Sequence, residues 1–153
     1  MRKIYLFDWG DTLMKDDTSQ SLPMKDWPSV QAVEGAKEVL SKLSVSTVIY
    51  VATGSTKATP EDMKAAFERV DLAQYIRGYF CPQLTGYSKD SPEYYRAIAK
   101  TLEVDCQQLM MIGDNYQKDI LPSRSAGLEA VWFNDQGLPK KPGKMVTALT
   151  QLI

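Results

Sequence analysis

Residues 110–133 read MMIGDNYQKDILPSRSAGLEAVWF. The apolar run Leu109–Ile112 breaks at Gly113-Asp114-Asn115. A helix is expected after Asp119; Pro122 fits only in its first turn, and Gly127 ends it. Ala130–Phe133 is apolar again. Strand, helix and strand in so short a stretch form a crossover unit, the connection that joins parallel strands.

The same alternation extends in both directions. Ile4–Phe7 and Thr47–Ala52 are short apolar runs that suit strands buried on both faces, and Tyr79–Cys81 suits a third, shorter one. Ala36, Val39, Leu40 and Leu43 have helical spacing, as do Met63, Ala66, Phe67 and Val70. The second of these helices opens with Thr59-Pro60-Glu61-Asp62: a capping hydroxyl, Pro at the first helical position and acids in the first turn. Ser91-Pro92-Glu93 repeats the signal ahead of Tyr95, Ile98, Ala99 and Leu102. Met145, Leu149 and Leu152 predict a C-terminal helix. The expected fold is a three-layer α/β domain with a mostly parallel sheet.

Composition narrows the chemistry. The chain has 153 residues, enough for one domain, with 44% apolar and 24% charged residues and a net charge of -1. Nothing broadly basic recruits nucleic acid or an acidic membrane. Histidine is absent, which excludes Ser-His-Asp and Cys-His catalysis and histidine metal ligands. Cys81 and Cys106 are too few for a four-thiolate zinc site and read as reduced packing residues. Met1-Arg2-Lys3 precedes only a short apolar run, so no signal peptide or membrane span is expected, and the protein reads as cytoplasmic.

In parallel α/β sheets, ligands bind beyond the carboxyl ends of the strands. Asp8-Trp9-Gly10-Asp11-Thr12 follows the first strand, Thr53-Gly54-Ser55 the second, and Gly113-Asp114-Asn115 a later one. Asp119 lies further along, and Lys89 precedes the Ser91 helix. Two carboxylates about 4 Å apart at an effective dielectric of ~20 repel by roughly 4 kcal/mol. A cluster of Asp8, Asp114 and Asp119 therefore needs a cation, and oxygen ligands without His or Cys favour Mg2+. Thr53, its following amides and Lys89 could bind phosphate oxygens.

Four stretches, IYLFDWGDTL (4–13), VIYVATGS (48–55), YSKDSPEYY (87–95) and the 110–133 block, together resemble the four motifs of the haloacid dehalogenase (HAD) superfamily, in order. The resemblance implies a Rossmann-like α/β/α fold and a Mg2+-dependent phosphatase. Asp8 would be the nucleophile that forms an aspartyl-phosphate. Asp8, the Gly10 carbonyl, Asp114 and Asp119 would hold Mg2+. Thr53, Gly54, Lys89 and Asn115 would bind the phosphoryl group.

The first motif departs from the family pattern. Family phosphatases usually place a second Asp, the general acid–base, where this chain has Gly10; Asp11 follows one position later. Losing a general acid costs roughly 10²–10⁴-fold in rate. Asp11 is the candidate replacement. A HAD-like protein that binds metal and phosphate without useful turnover is the alternative function. A receiver domain is disfavoured by motif order, and haloacid dehalogenation by the metal-type acids.

Substrate choice in this superfamily usually comes from a cap domain. Residues 14–33, about twenty in all, are too few to fold around a core of their own. A single domain over 1–153 with a short 14–33 flap is expected. An open rim suits a macromolecular phosphate, or cover supplied by an oligomer partner. Within the flap Trp27 reads as a staple, and Asp16-Asp17 as a solvated turn.

Overall fold

The computed structural model describes residues 3–153; Met1 and Arg2, and with them the start of the N-terminal segment read above, lie outside the described residues. Six parallel strands form one sheet: β1 (Ile4–Phe7), β2 (Val48–Ala52), β3 (Gly78–Phe80), β4 (Leu109–Gly113), β5 (Glu129–Phe133) and β6 (Lys144–Val146), in the order β3-β2-β1-β4-β5-β6. The switch point lies at β1, which pairs with both β2 and β4. Five helices cross over: α1 (Ala36–Ser46), α2 (Pro60–Glu68), α3 (Pro82–Thr85), α4 (Pro92–Leu102) and α5 (Leu121–Ala126).

Alternation along the strands builds two cores. Phe7, Ile49, Val51, Ile112 and Val131 pack with Val39, Leu40, Met63 and Phe67 of α1 and α2. Leu6, Ala52, Met111, Ala130 and Trp132 pack with Tyr94, Tyr95 and Ile98 of α4 and with Ile120. Both faces of the central strands are covered, as their continuous apolar character requires. No helix among the described residues is long and apolar enough to cross a membrane.

Local signals translate unevenly. Thr59 caps α2: its hydroxyl accepts the Asp62 N–H at 3.1 Å, and the Asp62 carboxylate accepts the Thr59 N–H at 3.3 Å. Ser91 stands at the start of α4 but makes no cap bond; its hydroxyl donates to the Ser88 carbonyl at 2.8 Å. The winding before α5 starts earlier than expected, as a π turn over Tyr116–Ile120. Pro122 then falls in the first turn of α5, and Gly127 ends it in the left-handed region.

The predicted C-terminal helix is not formed. Residues 144–146 are strand β6, and only a 3-10 turn, Leu149–Leu152, follows. The apolar spacing is helical, but β5 offers an open edge whose backbone groups need partners. Met145 pairs opposite Trp132, and the Asn134 N–H donates to the Val146 carbonyl at 2.8 Å.

Residues 14–33 form a loop with one 3-10 turn, Met24–Asp26. The Lys15 N–H meets the Gln31 carbonyl, and the Val33 N–H meets the Leu13 carbonyl, both at 2.9 Å, closing its base. Trp27 is buried, and its indole N–H donates to the Leu22 carbonyl at 2.7 Å. Arg69, at the end of α2, grips the loop from below. Its guanidinium donates to the Trp27 carbonyl at 2.6 Å and to those of Lys25 and Met24 at 3.3 and 3.4 Å.

Candidate active site

The carboxyl edge of the sheet gathers acids and a lysine. The Asp8 N–H donates to the Ile112 carbonyl at 2.9 Å, so Asp8 continues the β1 ladder one residue past the strand. The chain then turns back tightly: the Leu13 and Met14 N–H groups reach the Trp9 carbonyl, and Asp11 sits at φ 61°, in the left-handed region. This turn buries Thr12 beneath the carboxylates. Its hydroxyl lies 3.1 Å from Asp8 Oδ2 and 3.2 Å from Asp114 Oδ1, and accepts the Asp114 N–H at 3.1 Å. A hydroxyl has one proton, so it can donate to only one of the two acids at a time.

Asp119 reaches the same point from the π turn. Its Oδ2 accepts the Asn115 N–H at 2.9 Å. The approach requires Gly113: a Cβ there would lie 2.1 Å from Asp119 Oδ2. One carboxylate oxygen each from Asp8, Asp114 and Asp119 falls within 4.8 Å of the others.

Lys89 enters from the loop before α4 and is 4% exposed. Its ammonium lies 2.7 Å from Asp8 Oδ1, 2.7 Å from Asp119 Oδ1 and 2.7 Å from the Ala52 carbonyl. Two of its N–H groups donate, to Asp8 and to the Ala52 carbonyl, and Asp119 adds an ion pair. Gly54 leaves room for the lysine stem, since a Cβ there would approach Lys89 Cβ to 3.3 Å. Thr53 is buried beside it, its hydroxyl accepting the Ser55 N–H at 3.1 Å.

The charges do not balance within this cluster. Burial opposes ionisation of Asp8, but Lys89 and hydrogen bonds from Asp114, Lys89 and Thr12 outweigh it, and its pKa falls below 3.8. Burial, together with the hydrogen bond to Asp8 and its negative charge, pushes Asp114 up to about 8. Burial and Asp8 push Asp119 up to about 6, against the pull of Lys89. Burial works against charge on Lys89, yet Asp119 and Asp8 raise its pKa well above 10.5. One lysine therefore serves two acids, and the third is left to hold a proton.

The structure thus gathers Asp8, Lys89, Asp114 and Asp119, with Thr53 and Gly54 alongside. Asn115 is exposed, its side-chain oxygen committed to the Lys118 N–H at 3.1 Å. Asp11 is not brought into the cluster: its carboxylate accepts the Asp16 N–H at 3.0 Å, and it borders a separate groove with Val33 and Phe133. The left-handed turn at Asp11 accompanies this placement. Thr12 was not anticipated; a lone hydroxyl in a turn carries no pattern that marks it. Beside Asp8, a cleft of about 590 Å³ opens between the rim at Trp9, Gly10, Thr53 and Ser55 and the 14–33 loop, where Asp16, Leu22 and Trp27 form its wall.

Glyceraldehyde 3-phosphate phosphatase of Pyrococcus abyssi is 25% identical over 104 residues, covering 68% of this chain and 43% of the relative. Ribulose-1,5-bisphosphate 5-phosphatase of Halopiger xanaduensis is 27% identical over 125 residues, covering 82% of this chain and 50% of the relative. The chain therefore spans about half the length of these curated relatives. An uncharacterized protein from Listeria monocytogenes serotype 4b shares the fold, with a TM-score of 0.83 at 19% identity over 98% of this chain and 94% of that one. The profile of haloacid dehalogenase-like hydrolases matches residues 24–127, and the chain belongs to that family.

Proposed function

We propose that this chain is a Mg2+-dependent phosphomonoester hydrolase acting through an aspartyl-phosphate on Asp8. The observation that carries the reading is the position of the Asp8 carboxylate, 2.7 Å from the Lys89 ammonium and within 4.8 Å of Asp114 and Asp119 oxygens. Phosphatase names among its relatives support the reaction class.

The donor set fits a hard divalent cation. It is all oxygen, and burial together with the neighbouring Asp8 pushes Asp114 up to about 8, so a cation there would relieve the crowding of the acids. Asp8, Asp114, Asp119 and the Gly10 carbonyl would hold Mg2+, which supplies Lewis-acid stabilisation of phosphoryl oxygens. Asp8, with its pKa held low, is ionised and ready to attack phosphorus. Lys89 would exchange one carboxylate contact for a phosphoryl oxygen, and Thr53, Gly54 and Asn115 would hold the others. Their work is positioning and charge stabilisation.

Residues 14–33 act as a short flap on a single domain. The loop walls one side of the cleft, which favours a small phosphorylated substrate over a macromolecular one. The unpaired cysteines suit a reducing, cytoplasmic setting.

Hydrolysis of p-nitrophenyl phosphate with Mg2+ or with chelator tests the reading. Turnover is expected only with Mg2+ and is lost in Asp8→Asn. Unchanged turnover in that variant removes Asp8 as nucleophile. Gly10 and the outward Asp11 favour a second reading, binding without useful turnover; a Mg2+-dependent rise in melting temperature with no hydrolysis across a panel of phosphate esters would support it.

A further inference from the structure

An alcohol leaves phosphorus poorly as an alkoxide, so hydrolysis of alkyl phosphates needs an acid beside the departing oxygen. The following hydrolysis of the acyl phosphate needs a base beside the attacking water. Asp8, Asp114 and Asp119 supply neither, because they are assigned to the nucleophile and the metal. The wall of the cleft holds a candidate. A Cβ built on Gly10 would lie 3.5 Å from Asp16 Cβ and 3.6 Å from Asp16 Oδ2. Asp16 thus stands against the space that a side chain at position 10, two residues past Asp8, would enter.

Its carboxylate is oriented. Asp16 Oδ1 accepts the Asp17 N–H at 2.8 Å, and the Asp16 N–H is tied to Asp11 Oδ1 at 3.0 Å. Oδ2 carries no hydrogen bond among the described residues. The other acids along the cleft wall are engaged: Asp17 accepts from Ser19 and Gln20, and Asp62 caps Thr59 and pairs with Lys25.

We propose that Asp16 is the general acid–base of this site, supplied by the flap into the space left by Gly10. The inference rests on the phosphatase reading above. As an Asp8 oxygen bonds to phosphorus, the ester P–O bond breaks, and the leaving oxygen keeps the electron pair and takes the Asp16 proton. The Asp16 carboxylate then takes a proton from water as the water oxygen bonds to phosphorus. The P–O bond to Asp8 breaks, inorganic phosphate leaves, and both carboxyl groups are restored.

The test is kcat/KM for Asp16→Asn with Mg2+ across a series from p-nitrophenyl phosphate to alkyl phosphates. Because kcat/KM reports the first irreversible step, the good leaving group should stay near the wild-type value. The alkyl esters should lose roughly 10²–10⁴-fold. Asp16→Ala should behave alike, and adding Gly10→Asp to it should restore part of the alkyl activity. Equal losses across the series, or none, overturn the assignment to Asp16 while leaving Asp8 in place. A wild type inert on every ester overturns the phosphatase reading and this inference with it.

Discussion

Replacing Lys89 with methionine keeps most of its volume and removes the cation that sits between Asp8 and Asp119. Each contact is 2.7 Å long. At an effective dielectric near 20, that distance gives roughly 6 kcal/mol of attraction per pair before loss of solvation is counted. Solvation lost by three buried ions cancels much of it. What remains on deleting one partner is the cost of leaving carboxylates without a counter-charge, roughly 3–5 kcal/mol. For a chain of this length about 2–4 °C accompanies each kcal/mol, so the melting temperature should fall by roughly 6–20 °C near neutral pH in chelator. Two controls follow from the same reasoning. Mg2+ should recover part of the loss by replacing the missing charge. Acidification should narrow the gap, because Asp119, pushed up to about 6, is then protonated. Thermal unfolding with and without Mg2+, at neutral and acidic pH, measures all three. A variant that melts with the wild type in chelator would refute the view that Lys89 neutralises this cluster.

In chelator, the folded protein keeps a proton on Asp114 up to about pH 8 and on Asp119 up to about 6, whereas unfolded aspartates lose theirs near 4. The folded state binds more protons across that window, so stability should decline as pH rises from about 4 to 8, and excess Mg2+ should flatten the decline in denaturant titrations. Gly113→Ala places a Cβ where Asp119 Oδ2 now lies, at 2.1 Å, and should abolish the Mg2+-dependent rise in melting temperature. A variant that keeps that rise would show that Asp119 is not needed for the ion. Arg69→Ala removes the donors that hold residues 24–27; hydrogen exchange there should accelerate while the β-sheet amides stay protected, and unchanged exchange would assign the loop's order to Trp27 alone.

Strands β1 to β5 were legible because each holds a short apolar run with a turn at its end, the pattern of a strand buried on both faces. The start of α2 was legible because Thr59, Pro60 and Asp62 act within one turn. Asp8 and Asp114 could be nominated because parallel topology sends strand ends to one rim, and Lys89 and Asp119 because the stretches around them resemble the family's motifs. Interactions between distant segments were not legible. Strand β6 depends on the open edge of β5, and its own residues carry helical spacing. Asp16 reads as a solvated turn in sequence, since only the path of the 14–33 loop brings it beside Gly10. Arg69 is one surface arginine among several until its carbonyl partners are seen.

The grip of Arg69 has a consequence for divergence. It holds Met24, Lys25 and Trp27 by their carbonyl oxygens alone, so it is indifferent to which side chains those positions carry. Exchanges at position 25 leave the clasp intact while altering the chemistry presented to a ligand. New selectivity can therefore arise in this segment without redesign of its anchorage.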